Sequence, residues 1–335
     1  MKPAESRHVR LDPNARPVLA VVVDTEEEFD WAGDFDPEAN QVGHMENIGC
    51  FQEIANDYGV RPAYLVTYPI VNRPEGYRKL LEYLDRNQAV LGAHLHPWVT
   101  PPKVEAINRR NSYPGNLPPD LERAKLAVLT ERIRAVTGRD PKVYKAGRYG
   151  LGPGTHRALA ELGYEVDTSP APPMDFSGDG GPDYSSHSTD PFWPGQPGGL
   201  LCLPCTGAFT GVFGSAAPAV YSVCRVSPLG LLRIPGILAR LRLLDRVRLT
   251  PEGYSLSDLI RLTRYCYARG TRVFSFNLHS STIQPRAGHY VQNDDELQRF
   301  LHVIRAYFEF FARELNGMFM TPLAIREALG GGSRV

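Results

Sequence analysis

Two histidines stand two residues apart in His94-Leu-His96, directly after the apolar run Val-Leu-Gly-Ala. In an extended segment, residues i and i+2 point to one side, so both imidazoles can reach a single ion. A carboxylate cluster, Asp24-Thr25-Glu26-Glu27-Glu28, follows another apolar run, Val-Leu-Ala-Val-Val-Val. The same spacing places Asp24 and Glu26 on one side. One carboxylate with two imidazoles is a zinc-type ligand set. The second carboxylate can then take a proton from water. His279 ends a third run, Val-Phe-Ser-Phe-Asn-Leu, where an imidazole can protonate a leaving group. Each group also has a plainer reading: histidines satisfied on a rim, glutamates on a solvated face, His279 bonded to a loop carbonyl. Two facts favour chemistry. All three groups follow strand-like runs, where α/β proteins collect their sites, and an unpaired carboxylate at Asp24 would be costly to bury.

Arg148-Tyr149-Gly150 ends a fourth run. An arginine there lowers the pKa of a neighbouring carboxylate, or is an ordinary surface residue. Asp167-Thr168-Ser169 ends a fifth, and Asp175 follows in the loop. Either aspartate can orient His279 by accepting its second ring proton. Cys202-Leu-Pro-Cys205 has no second pair at zinc-finger spacing. Gly150-Leu-Gly-Pro-Gly154 lacks the Lys-Ser/Thr of a phosphate loop. A Gly-x-Ser-x-Gly elbow is absent, so a serine hydrolase has no support.

These residues need strands to hold them. Seven strand-like runs are legible, at about 17–24, 62–68, 89–94, 143–146, 164–168, 200–204 and 272–279. Helical patterns lie between most of them, at 46–58, 76–86, 121–137, 153–163 and 255–270, with a last one at 294–315. The clearest has Leu126, Leu129, Ile133 and Val136 at i, i+3, i+7 and i+10 and a Gly138 stop. Alternation of this kind argues a parallel sheet. Runs that are apolar almost throughout argue burial on both faces, hence a closed or nearly closed (β/α) barrel. Long stretches at 171–196 and 206–253 interrupt the pattern. The second holds Arg240, Arg242, Arg246 and Arg248 among leucines, read as a helix packed on the barrel or lying on a membrane surface.

The chain has 335 residues and a net charge of zero, which gives no electrostatic reason to expect nucleic acid. Five cysteines are odd in number and exclude a full disulfide framework. No apolar run is long enough to span a bilayer, and no secretory signal is visible. The expectation is a cytoplasmic protein without a membrane span. Composition leaves the oligomeric state open.

The order of these motifs resembles that of the polysaccharide deacetylase (NodB-homology, carbohydrate esterase 4) superfamily, over about residues 18–281. The resemblance implies a single distorted (β/α)7 TIM-like barrel domain, core about 17–315, with long loops after the fifth and sixth strands. It implies a divalent metal, zinc first, with nickel or cobalt as alternatives. Asp24 matches the first aspartate of the family's Asp-Asp motif, the general base. Thr25 stands where the metal-binding aspartate is expected, so Glu26 is the substitute ligand. His94 matches the first metal histidine, and His96 follows after two residues instead of four. Arg148-Tyr149 matches Arg-Pro-Tyr without its proline. Asp175-Phe176 is similar to the Asp-Trp of the fourth motif, with Asp167 as competitor. Leu278-His279 matches the Leu-His motif of the general acid. These departures resemble the WalW-like branch.

The implied activity is hydrolysis of the N-acetyl amide of a sugar or polysaccharide precursor, with an Asp base and a His acid. A lipid-linked or nucleotide-linked precursor fits a cytoplasmic location. Tyr149 can supply a backbone donor to the oxyanion. Trp98, Tyr184 and Trp193 can stack on a sugar, and core packing explains each as well. Two rivals remain: a hydrolase of a small cyclic amide or ureide with the same site, and a metal-free glycan-binding pseudoenzyme.

Overall fold

The structure is a computed structural model that describes residues 7–29, 33, 35–211 and 244–330. Its centre is the strand β2 (Val18–Thr25), buried at every position. Around it run β3 (Ala63–Val66), β4 (Val90–Leu95), β5 (Val143–Ala146), β6 (Val166–Asp167), β8 (Leu201–Cys202) and β11 (Val273–His279). All pair in parallel, in the order β8-β6-β5-β4-β3-β2-β11. Three two-residue strands flank them. β1 (Arg7–His8) and β7 (Phe192–Trp193) add an antiparallel edge beside β8, and β12 (Met318–Phe319) pairs with the start of β2.

Alternate residues of these strands feed two apolar clusters. Leu19, Val21 and Val23 pack outward against helices, with Phe51, Leu126, Leu259 and Ile304. Val18, Ala20 and Val22 pack inward with Ala63, Leu65, Val143, Val166, Leu201 and Val273. Two buried faces explain why the strands read as continuous apolar runs. The helical layer includes α1 (Gly49–Asp57), α2 (Tyr68–Asn72), α3 (Pro74–Asp85), α4 (Pro119–Thr137), α5 (Thr155–Glu161), α6 (Leu256–Ala268) and α7 (Asp294–Glu309). In α4, Pro119 opens the helix and Gly138, at φ 67°, closes it. Ser255 and Asp258 cap α6 reciprocally. A final helix, α8 (Pro322–Gly330), sends Ile325 into the inward cluster.

Among the described residues the sheet does not close as one continuous ladder. Between β8 and β11 sits an antiparallel pair of β9 (Gly207–Thr210) and β10 (Asp245–Arg248). Its flanks bridge the gap: the Leu249 amide donates to the Thr206 carbonyl (2.8 Å), and the Asn277 amide to the Leu249 carbonyl (3.0 Å). A strict strand–helix repeat also fails after β6, where a long loop leads to β7. Arg246 and Arg248, expected on a helix, lie on β10. Arg240, Arg242 and most of that Leu/Arg-rich segment fall outside the described residues. No helix among the described residues is long and apolar enough to cross a membrane.

Candidate metal centre and active site

The inward phase of each strand decides which polar side chains meet. Val22 points inward, so Asp24 and Glu26 follow it. His94 and His96 leave β4 on the same side, as do Lys145 from β5 and Asn277 and His279 from β11. The Nε2 of His94 lies 3.5 Å and that of His96 3.4 Å from Glu26 Oε2. The three donor atoms all fall within 4.8 Å of one another. A tetrahedral zinc with bonds of ~2.0–2.1 Å has donor–donor edges of about 3.4 Å, which the two separations from Glu26 match.

The surroundings also fit a cation. His94 Nδ1 faces the Lys145 carbonyl at 3.1 Å, and His96 Nδ1 faces Glu27 Oε1 at 2.8 Å. Both acceptors fix the tautomer that leaves Nε2 with its lone pair toward Glu26, the support seen behind metal-bound histidines. Burial pulls the His94 pKa down to about 4, so the ring is neutral at physiological pH. Burial lifts the Glu26 carboxyl to about 7. Its Oε2 is a buried atom with no hydrogen-bond donor. A buried acceptor facing two imidazoles is costly unless something positive sits among them.

Asp24 lies beside this group and is held differently. Lys145 Nζ donates to both of its oxygens, at 2.9 and 2.7 Å, and to Asn277 Oδ1 at 3.1 Å. Burial alone would raise the Asp24 carboxyl; the Lys145 ammonium, with His94 and His279, outweighs it and keeps it below the usual range. The role expected of Arg148 therefore falls to Lys145. Arg148 instead pairs with Asp179, donates to Ser112 Oγ (2.5 Å) and lies over the Tyr113 ring at 4.0 Å.

His279 is oriented by Glu252, not by Asp167 or Asp175. Its Nδ1 meets Glu252 Oε2 at 2.7 Å, and its backbone amide donates to Glu252 Oε1 at 2.8 Å. Burial opposes protonation, but Glu252 and Glu26 outweigh it, and the ring titrates well above its ordinary value. Its Nε2 sits 3.6 Å from Asp24 Oδ2. Asp167 points outward and binds Ser169 and His156. Asp175 accepts from the Ser177 amide in the loop.

A cleft of about 210 Å³ opens over these groups, lined also by Tyr113, Tyr149, Phe176, Arg248 and Tyr290. None of the expected stacking residues Trp98, Tyr184 and Trp193 lines it, while Tyr149, expected as a backbone donor, does. Trp98 is buried behind His96, rings stacked at 4.2 Å, and packs on Phe29 and Phe35. Tyr184 is buried in the loop core and donates to the Tyr149 carbonyl at 2.6 Å. Trp193 belongs to the inward cluster beside α8. Each is a large apolar side chain that the core claimed.

Sequence reasoning missed Lys145, Glu252 and Arg248. A signal existed for Lys145, a fully buried lysine in the strand Val-Tyr-Lys-Ala. Glu252 and Arg248 come from the long stretch before α6, where no periodicity fixes a side chain's direction.

Arg148 and Tyr149 sit at φ 54° and 60°, a pair of left-handed residues whose strain costs about 1–3 kcal/mol each. Gly147 lets this turn pass close over β4. A Cβ there would come 2.5 Å from the Leu95 carbonyl oxygen and 2.7 Å from His96 Cδ2. Gly147→Ala is therefore expected to displace His96 and weaken metal binding by about tenfold or more, since overpacking costs ~1–3 kcal/mol. Isothermal titration with zinc checks this; an unchanged affinity would show that the turn does not position the ligand.

No family model matches the chain, and no curated protein matches it. Solved structures do. A Mycobacterium smegmatis protein described as a polysaccharide deacetylase superposes with a TM-score of 0.56 at 16% identity, over 97% of this chain and 94% of its own. A Pseudomonas aeruginosa PAO1 protein described in the same way gives 0.53 at 12% identity, over 99% and 97%. The chain has the polysaccharide deacetylase fold. An allantoinase, Puue, shares that fold, with a TM-score of 0.53 at 13% identity over 99% of this chain and 96% of its own. Within the fold, this chain's cluster of Asp24, Glu26, His94, His96 and His279 lies at the C-terminal strand ends, where parallel sheets carry their sites.

Proposed function

We propose that this protein is a divalent-metal-dependent hydrolase that removes the acetyl group from an N-acetylated sugar. The convergence of Glu26, His94 and His96 on one point of a cleft that also holds Asp24 and His279 carries this reading. Glu26, His94 and His96 would hold a divalent cation, zinc by this donor set, which would supply Lewis-acid polarisation of the acyl oxygen and of a water. Asp24, kept ionised by Lys145, accepts the water's proton. His279, kept as imidazolium by Glu252, gives its proton to the departing amine. The 3.6 Å between Asp24 Oδ2 and His279 Nε2 lets the proton taken by one replenish the other after each turnover. Tyr149 and Phe176, stacked at 5.4 Å, offer an aromatic wall to the sugar. Acetate release from N-acetylated sugars by the zinc-loaded chain tests the activity. Ring opening of cyclic amides without acetate release would favour the second reading, which the allantoinase's shared fold keeps in view.

The cleft's charges narrow the substrate. Lys145 is answered by Asp24 and Arg148 by Asp179. Arg248 has no carboxylate partner among the described residues. Its Nη1 donates to Tyr149 Oη at 2.9 Å, and its Nε is buried without an acceptor. An unanswered guanidinium in a binding cleft suits an anionic group, so the sugar carries a phosphate or carboxylate, as a nucleotide-linked precursor does. Arg248→Gln is expected to raise KM for an N-acetyl sugar phosphate by about tenfold or more, from a charge-assisted bond worth ~1.5–3 kcal/mol. Equal KM in parent and variant would remove Arg248 from recognition.

A further inference from the structure

Beyond the cleft, on the outer face of the sheet, lies a second group of metal-type donors that the hydrolase reading does not use. Asp167 of β6 and Cys202 of β8 are register partners, so their side chains stand side by side. Val166 and Leu201 point inward, and both of these side chains point outward, under α5. His156 of α5 reaches down to them. Its Nε2 lies 3.1 Å from Asp167 Oδ2 and 3.5 Å from Cys202 Sγ, and the sulfur lies 3.7 Å from the same carboxylate oxygen.

Those three edges are close to what one ion demands. A tetrahedral zinc with ~2.0–2.2 Å bonds to nitrogen and oxygen and ~2.3 Å to sulfur has edges of about 3.4 Å for N–O and about 3.6 Å for pairs with sulfur. Carboxylate orientation is fixed as well: Asp167 Oδ1 accepts from the Ser169 amide and hydroxyl, which leaves Oδ2 for the cluster. Asp167 and Cys202 are fully buried, while the His156 side chain is about a third exposed, so an ion has a way in and a water can complete the shell. A thiol nucleophile would need its imidazole to face the thiol with one nitrogen and the carboxylate with the other. Here one nitrogen faces both, which is convergence rather than relay.

We propose that His156, Asp167 and Cys202 form a second metal site, for zinc or another thiophilic divalent cation, that clamps α5 to β6 and β8. Binding releases the thiol proton, which burial and Asp167 otherwise retain. Cys202 thereby has a role independent of Cys205, whose sulfur faces Asn277 on the inward side.

Cobalt(II) titration of the full chain, followed in the near ultraviolet, tests this. The donors of the candidate active site, Glu26, His94 and His96, include no thiolate, so a thiolate-to-cobalt charge-transfer band that depends on Cys202 reports the second site. The band is expected to saturate within about two equivalents in the parent, which has both sites, to survive in His94→Ala and saturate there at about one, and to vanish in Cys202→Ser. His156→Ala, a change at the protein surface, guards against misfolding of the buried variant and is also expected to abolish it. Absence of the band at saturating cobalt would overturn the proposal, and so would a band that survives both His156→Ala and Cys202→Ser. Failure here leaves acetate release untouched, and the reverse holds.

Discussion

His279→Ala is expected to lower turnover by about 10²-fold or more while metal content stays that of the parent chain. The separation follows from geometry. His279 touches Glu252 and faces Asp24, and it is not among the three donors that converge. Its imidazolium is the proton donor assigned to the departing amine, and its loss removes that donor from the cleft. The effect should be largest for substrates with poor leaving groups. Steady-state rates beside elemental analysis check both halves, and turnover equal to the parent's would sink the assignment. Glu252→Gln should act in the same direction and more weakly, because Glu252 positions the ring without touching substrate.

Lys145→Met is expected to cost about 3–5 kcal/mol of stability, the usual penalty for breaking a buried ion pair from one side. Lys145 and Asp24 are both buried, at 1% and 4% side-chain exposure. Without the ammonium, burial pushes the Asp24 carboxyl up instead of leaving it depressed. A folded-state pKa above the unfolded value means that the penalty is full at neutral pH and shrinks as the carboxyl protonates in acid. Denaturant unfolding at pH 7 and pH 5 should therefore show a smaller deficit at the lower pH. A variant as stable as the parent at pH 7 would mean that Asp24 is not committed to Lys145, and with it would fall the argument that Asp24 stays ionised.

How much of this was legible in the sequence depended on the strands. The period-2 rule placed Asp24 with Glu26 and His94 with His96, because two residues of one extended segment share a side whichever face is inward. It could not say which face that was. Strands buried on both sides carry no polar alternation to set the phase, and so Asp167 was read toward His279 when Val166 takes the inward position and Asp167 the outward one. Two-residue strands such as β1, β7 and β12 leave no periodicity at all. Trp98, Tyr184 and Trp193 were open between core and cleft from the start, since an aromatic residue satisfies either. Glu252 and Arg248 come from beside a long loop, and only tertiary structure brings them to His279 and Tyr149.

The most direct measurement is the metal content of the parent chain beside His94→Ala after reconstitution with zinc, read together with acetate release. His94→Ala should carry about one equivalent less than the parent, remain folded and release no acetate. Equal metal content in the two would contradict the central claim that Glu26, His94 and His96 hold the ion on which hydrolysis depends.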